Sequence, residues 1–440
     1  MKSRYDDLDD LVDYLPRDSS DYALFQDYAA TTAPGVFESA APMTWTSATT
    51  SAAQNATPIN SVAADIAAHE SGGSLSYAGA LAVLDAAAAT TMTPALFSQL
   101  TAAAEDLNVS GGVATSAYVQ QMVDNVVLGN SANLQWNGGA DAPAALGDLS
   151  ATSTTLQFNE LIGKWFLGTD LPGVETSPGQ SQADATSYQT YNLKLFRPVG
   201  PKFADVNQGQ LGDCWFLSAL GETAKQDPSL IERLITANGN GTYTVEFQVD
   251  GQADYVTVNS QFSTYSGNSE QWDGSKQEFA SSTTCLWVPL FEKALSQLAE
   301  QGVTTGLEYA AGDDQYYELT SGGGEGMTLL TGQASNSYGL AGESGASLKA
   351  LLRQMHSDVA AGYDVLLGTS GQAVSGNLVA DHLFAVLSVN AAAGTVALYN
   401  PWGVAGAAGN GKVADFSIAA SALVSDQAWF YATSGAPTVR

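Results

Sequence analysis

Positive charge is what this sequence has least of. Its 440 residues carry 15 Lys and Arg against 45 Asp and Glu, a formal net charge of −30. So acidic a chain is repelled by phosphate backbones and anionic lipid surfaces, which argues against nucleic acid and such membranes as partners. Its plain consequence is solubility through self-repulsion. Long apolar runs are missing too: none approaches the ~20 residues of a membrane span, so none is expected. Two cysteines make no disulfide framework, and with three scattered histidines they show no zinc-ligand pattern. The N-terminal run MKSRYDDLDDLVDYLPRD is acidic and has no apolar leader core. No secretory leader is therefore expected, which leaves the cytoplasm or a leaderless export route.

Against that sparse background one stretch stands out, Gln208 to Ser218 (QGQLGDCWFLS). Trp215, Phe216, Leu217, Ala219 and Leu220 predict an apolar helix with Cys214 at its mouth, and Gly209 and Gly212 let the chain turn sharply into it. A free thiol ionises near ~8.5, and the unpaired N–H groups of a helix N-terminus lower that value. Gln208 then stands as a second donor, beside the Cys214 N–H, for a developing oxyanion. The plainer reading of Cys214 alone is a buried structural cysteine.

A nucleophilic thiol needs a base, and only His69, His356 and His382 are available. His69 lies in a polar Ala-rich stretch and His356 on an amphipathic helix with Leu348, Leu351, Leu352 and Met355, both surface positions. His382 opens HLFAVLSV, an apolar strand, and Thr395 to Tyr399 returns after a turn over 390–394. The start of one strand then faces the end of the other, so His382 and Asn400 meet at one open end. There an Asn carbonyl fixes the imidazole tautomer and leaves the other nitrogen for the thiol. Pro401 keeps Asn400 out of helical geometry and Trp402 shields the pair.

At this point QGQLGDCWFLSAL, LWVPLFEKAL (Leu286–Leu295), the segment around His382 and NPWG at Asn400 together resemble the protease core of calpains, papain-like cysteine endopeptidases. The resemblance runs from about Leu195 to the C-terminus and is closest to a bacterial type without appended calcium-binding domains. It implies Cys214 as nucleophile, His382 as general base, Asn400 as orienting residue and Gln208 as oxyanion donor, acting on a protein or peptide substrate. It also implies a calcium ion held by Asp205, the Gly200 carbonyl and Glu318, hard oxygen ligands of the kind calcium takes. A second calcium site is in doubt, because the stretch directly after NPWG (VAGAAGNGKVADF) has only Asp415 nearby. Asn259 and Ser260 also stand where calpains carry a pair of aspartates. The low-lysine acidic composition resembles calcium-rich extracellular bacterial proteins. Two rival readings use the same residues: a transglutaminase-like acyl transferase, which typically has Asp where this chain has Asn400, and a catalytically silent peptide-binding module.

The expected fold is α+β: a two-lobed papain-like core, with a helical lobe and an antiparallel β lobe, preceded by a mainly α-helical N-terminal domain. Residues 1–65 are expected to be a flexible acidic and Ala/Thr/Ser-rich segment, 76–168 a helical domain, 169–190 a linker and 191–440 the protease domain. In the helical domain the apolar spacing predicts helices near Leu81–Ala88, Ala95–Leu107, Val119–Leu128 and Leu156–Trp165. In the protease half, alternation over Thr242–Val249 and an Asp250-Gly251 turn into Tyr255–Val258 predict a hairpin. Cys285 is expected in the core beside the helix of Trp287, Leu290, Phe291 and Leu298, unbridged to Cys214. The helical domain reads either as a folding or interaction module or as an inhibitory segment across the cleft. In the second case the enzyme would trim its own N-terminal half at the linker.

Overall fold

Ser and Thr caps start most of the helices before residue 168. The computed structural model describes residues 61–138, 144–177, 180–181, 185–265, 277–302, 315–320, 322–372 and 374–435, all within one unit of the chain, Thr49–Arg440. The expected flexible segment therefore lies outside the described residues up to position 60, and its last residues enter a helix. That helix, α1 (Val62–His69), begins at Ser61, α2 (Tyr77–Ala88) at Ser76 and α3 (Pro94–Glu105) at Thr93 with Pro94 in its first turn. Then come α4 (Ala117–Val127) and α5 (Thr155–Ile162), capped by Thr154. These bounds follow the expected helices to within a few residues, except that α2 begins four residues early. No described helix is long and apolar enough to cross a membrane.

The N-terminal helices do not pack by themselves. One buried apolar cluster runs from Val83, Leu84 and Val126 through Trp165 to Phe216 and Phe291. The join is also polar: Lys164, fully buried, pairs with Asp170 at 2.6 Å and with Glu300 at 2.5 Å. Trp165 Nε1 donates to Asn133 at 2.7 Å and Gln121 Nε2 donates to Asp254 at 2.6 Å. Removing one partner from such a buried ion pair costs about 3–5 kcal/mol. Within the expected linker, Asp170 and Leu171 are buried and β1 (Ala185–Thr190) pairs antiparallel with a strand of the protease half, Gln261–Tyr265.

After β1 the chain reaches α6 (Cys214–Gln226) and α7 (Pro228–Arg233). A small sheet follows, made by β2 (Ile235–Ala237), β3 (Thr242–Val249) and β4 (Gln252–Asn259) in the order β4-β3-β2. The turn from β3 to β4 is the expected one, with Asp250 and Gly251 at φ 50° and 76°, the left-handed pair a two-residue hairpin takes. Gln261–Tyr265 is β5. Next come α8 (Trp287–Glu300) and α9 (Glu325–Thr331). The sequence of α8 predicts one buried face, yet every residue of it is buried. The reason is that its polar side is covered: Glu300 by Lys164, Gln297 by the Lys164 carbonyl and Lys293 by Asn259.

The strands after residue 334 form one antiparallel sheet. They are β6 (Ser335–Gly339), β7 (Val365–Thr369), β8 (His382–Asn390), β9 (Thr395–Tyr399), β10 (Asp415–Ala419) and β11 (Trp429–Thr433), ordered β6-β11-β7-β8-β9-β10. The helices in this region are α10 (Gly345–Ala360), α11 (Gly403–Gly409) and α12 (Ala420–Ser425). Strand alternation splits the sheet's side chains. Leu366, Leu383, Ala385 and Tyr399 join the apolar cluster that contains α6. Leu367, Phe384, Val386 and Leu398 pack with Leu352 and Met355 of α10 and Leu423 of α12. The chain is thus mixed α and β, with α6 laid against one face of the sheet at the end where β8 starts.

Candidate active site

Two strand ends and one helix end meet here. His382 is the first residue of β8, and Asn400 follows the last residue of β9. Its Oδ1 accepts from His382 Nε2 at 3.0 Å and from the Trp402 N–H at 3.0 Å. With Nε2 as the donor, Nδ1 is the nitrogen left to accept a proton. The backbone of His382 is fixed from the other side, since Thr369 Oγ1 lies 3.1 Å from both its N–H and its carbonyl oxygen. Phe384 and Trp402 cover the ring, at 4.9 and 5.2 Å between centroids. Burial pushes the imidazole down to about 4, against the opposing pull of the Asn400 hydrogen bond. Before His382 the backbone is strained: Asp381 has φ 52°, a region that non-glycine residues rarely enter.

Cys214 opens α6 as expected and is 8% exposed. The backbone N–H groups of Leu383 and Trp215 lie near enough to its sulfur to favour the thiolate. One turn further along α6, Ser218 Oγ donates to the Leu383 carbonyl at 2.8 Å. Helix and strand are therefore in direct contact at the residue after the histidine. Among the described residues, no hydrogen bond joins the sulfur to the imidazole. Burial pushes the thiol up to about 12, with the Asp213 and Asp381 carboxylates adding to it and the N–H groups of Leu383 and Trp215 opposing it. In this arrangement thiol and imidazole are both neutral at pH 7. The helix terminus favours the thiolate, and desolvation outweighs it.

Gln208 is buried beside them. Its Nε2 donates to the Leu211 carbonyl at 2.7 Å, and its side chain is one of the influences that oppose the upward shift of the Asp213 carboxyl. Its N–H donates to the Pro401 carbonyl at 2.8 Å, a link to the residue after Asn400. Sequence reasoning missed what lies beneath this loop. Asp213 is fully buried against Glu292 of α8, whose two oxygens accept from the Ala280 N–H at 3.1 and 3.0 Å. Burial pushes the Asp213 carboxyl up to about 7, and Glu292 well above the usual carboxylate range. No periodicity marks a polar residue that a helix buries on its far side. The signal that was available is scarcity: in a chain with so few cations, Lys164, Lys293 and Arg197 are each held by specific acceptors.

The three residues implied for calcium divide differently. Asp205 and Gly200 share one loop, and Glu318 lies in a short turn, Tyr316–Leu319, whose Leu319 carbonyl accepts from Trp215 Nε1 at 2.8 Å. Asp205 Oδ1 meets Arg197 Nη2 at 2.7 Å, and its Oδ2 accepts from the Lys202 N–H at 2.9 Å and Trp287 Nε1 at 3.0 Å. Both oxygens are thus engaged, one of them by a cation, and as arranged the carboxylate does not fit a calcium ion. Among the described residues, no group of three or more His, Cys, Asp and Glu side chains is positioned to hold a metal. Cys285 is fully buried, and both cysteines are free.

A thiol at a helix mouth, set against a buried His–Asn pair on a sheet, points to the cysteine peptidases as a class. Comparison with known proteins narrows this. Residues 186–418 match the calpain family cysteine protease model, more than half of the chain, and the protein belongs to that family. The calpain-type cysteine protease DEK1 of Arabidopsis thaliana is 32% identical over 205 residues, 45% of this chain and 9% of that protein. DEK1 of Zea mays is 30% identical over 203 residues, again 45% of this chain and 9% of the relative. The chain thus spans about a tenth of the length of these relatives.

Proposed function

We infer that this protein is an endopeptidase in which Cys214 is the nucleophile, His382 the general base and Asn400 the residue that orients it. The observation that carries this reading is the buried 3.0 Å bond from His382 Nε2 to Asn400, with Cys214 at the head of the helix whose Ser218 bonds the Leu383 carbonyl. His382 Nδ1 takes the thiol proton, and the sulfur attacks a substrate carbonyl to form a tetrahedral oxyanion. The Cys214 N–H donates to that oxyanion, and so does the Gln208 amide once it turns from the Leu211 carbonyl. The imidazolium then protonates the departing amine, and water activated by the same imidazole hydrolyses the thioester. Helix α6 already meets the strand at Leu383, and on this reading a side-chain rearrangement separates the neutral pair from a reactive one. The two packing regions are read as the lobes of a papain-like core, with substrate between them. No step is routed through calcium.

Residues 61–168 contact β4 and α8, which favours their reading as a buttress for the protease half over an inhibitory segment. The test is casein hydrolysis by wild type and by Cys214→Ala, with labelling by a thiol-directed epoxide. Loss of both in the variant is expected, and undiminished cleavage by Cys214→Ala sinks the reading. Amine incorporation without hydrolysis would favour an acyl transferase. Trimming within 169–190 would revive the inhibitory segment.

A further inference from the structure

The loop that leads into the nucleophile ties the two sides of the site together, and it is closed by an ion pair. Gly200, at φ 79°, turns the chain so that its N–H donates to the Arg197 carbonyl at 3.0 Å. The turn folds the Arg197 side chain back onto Asp205 at 2.7 Å, with the two side chains 16% and 2% exposed. Asp205 also holds Trp287, the first residue of α8, and the Lys202 N–H. Directly after it the loop reaches the sheet. Tyr399 Oη donates to the Val206 carbonyl at 3.2 Å and Gln208 donates to the Pro401 carbonyl. Gly403 lies so close to Asn207 that a Cβ there would meet its Oδ1 at 2.1 Å. Tyr399 and Pro401 flank Asn400, so the geometry of this loop sets where Gln208 and Asn400 stand relative to each other.

We propose that Arg197 is the resident cation of the Asp205 loop and takes the place that a calcium ion would otherwise have there. A carboxylate has about four acceptor positions, and three donors already occupy this one. Calcium takes 6–8 oxygens, whereas Asp205, the Gly200 carbonyl and Glu318 are three groups, with a guanidinium bound at the first. Bringing a divalent cation against a fixed positive charge in a buried setting is strongly unfavourable. Without Arg197, the Asp205 carboxylate loses the one cation that meets it at 2.7 Å in this buried loop.

The activity arm of the test rests on the proteolytic reading, and the binding arm does not. The full-length protein, stripped with a chelator, is melted with and without millimolar calcium chloride and titrated with that salt by calorimetry. Wild type is expected to show no calcium-dependent shift and no binding heat at this loop, and to hydrolyse peptide equally in chelator and in calcium. Arg197→Ala is expected to melt lower, with calcium restoring part of the loss, and Arg197→Lys to stay calcium-blind. A calcium effect on wild type, in melting or rate, that Asp205→Asn abolishes overturns the proposal. A shift that persists in Asp205→Asn comes from elsewhere and supports it. If Arg197→Ala does not fold, the wild-type and Asp205→Asn titrations decide alone. No hydrolysis in either condition, with calcium-blind melting, overturns the proteolytic reading and leaves Arg197 as assigned.

Discussion

The sheet side of the site is finished and the helix side is not. His382 has its tautomer set by Asn400, its backbone pinned by Thr369 and its ring enclosed by Phe384 and Trp402. Across from it, burial keeps Cys214 a neutral thiol, and Gln208 donates to its own loop rather than toward a substrate. Both sides are buried, so desolvation acts on each with opposite sign: it takes the proton from the imidazole and keeps it on the thiol. On the proposed reading, activation needs little change at His382, and needs the Cys214 and Gln208 side to give up its own bonds when substrate arrives.

The largest effects should separate the two sides by activity. His382→Ala removes the acceptor of the thiol proton and should lower kcat/KM near the upper end of the roughly 10²–10⁴-fold range of general base catalysis. Gln208→Ala removes one oxyanion donor and should cost about 10²-fold, mostly in kcat. Steady-state hydrolysis of one fluorogenic peptide by both variants makes the measurement. A Gln208→Ala loss as deep as that of His382→Ala would mean that the helix side is already engaged in the resting enzyme.

Much of this arrangement was legible in the residues, for a physical reason. Helix mouths, strand starts and two-residue turns are local events, so Cys214 at the head of α6 and the 250–251 turn follow from their neighbours. Even the meeting of His382 and Asn400 is nearly local, because one hairpin joins them. What stayed hidden involves partners far apart in the chain. Glu292 reads as the polar face of α8, and it is Asp213, far off in the chain, that meets it in the interior. Arg197 reads as an ordinary loop cation until the turn at Gly200 folds it onto Asp205. The same is true of the N-terminal helices: their spacing announces them, while the buried Lys164–Glu300 pair that binds them to α8 has no periodicity to read.

A smaller and cleaner contrast comes from pH. The imidazole of His382 sits near 4 in the folded protein against about 6.5 when free. The unfolded chain therefore takes up the proton first as pH falls. Its stabilising effect is complete above about pH 6.5 and is lost as pH drops toward 4, by about 3 kcal/mol at most. His382→Gln cannot titrate, so its stability relative to wild type should rise by that order between pH 7 and pH 4 in urea denaturation. Parallel curves for the two proteins would show that the ring is solvated, and the account of the sheet side would fail.

Asp213 should give the mirror image with the smallest effect. Its folded value near 7 stands above the ordinary carboxyl value near 4, so the folded protein keeps a proton that the unfolded chain has released. Stability from this group is complete below about pH 4 and declines as pH rises to about 7, the reverse of His382. Asp213→Asn cannot ionise, and its amide can donate to Glu292 where the acid shared a proton. The variant should match wild type at pH 4 and exceed it by about 1–2 kcal/mol at pH 8, a small gain because Glu292 still titrates. Urea midpoints across that range measure it. A gain at pH 4 as large as at pH 8 would mean that packing, not a retained proton, explains Asp213, and the two sides would then no longer differ in sign.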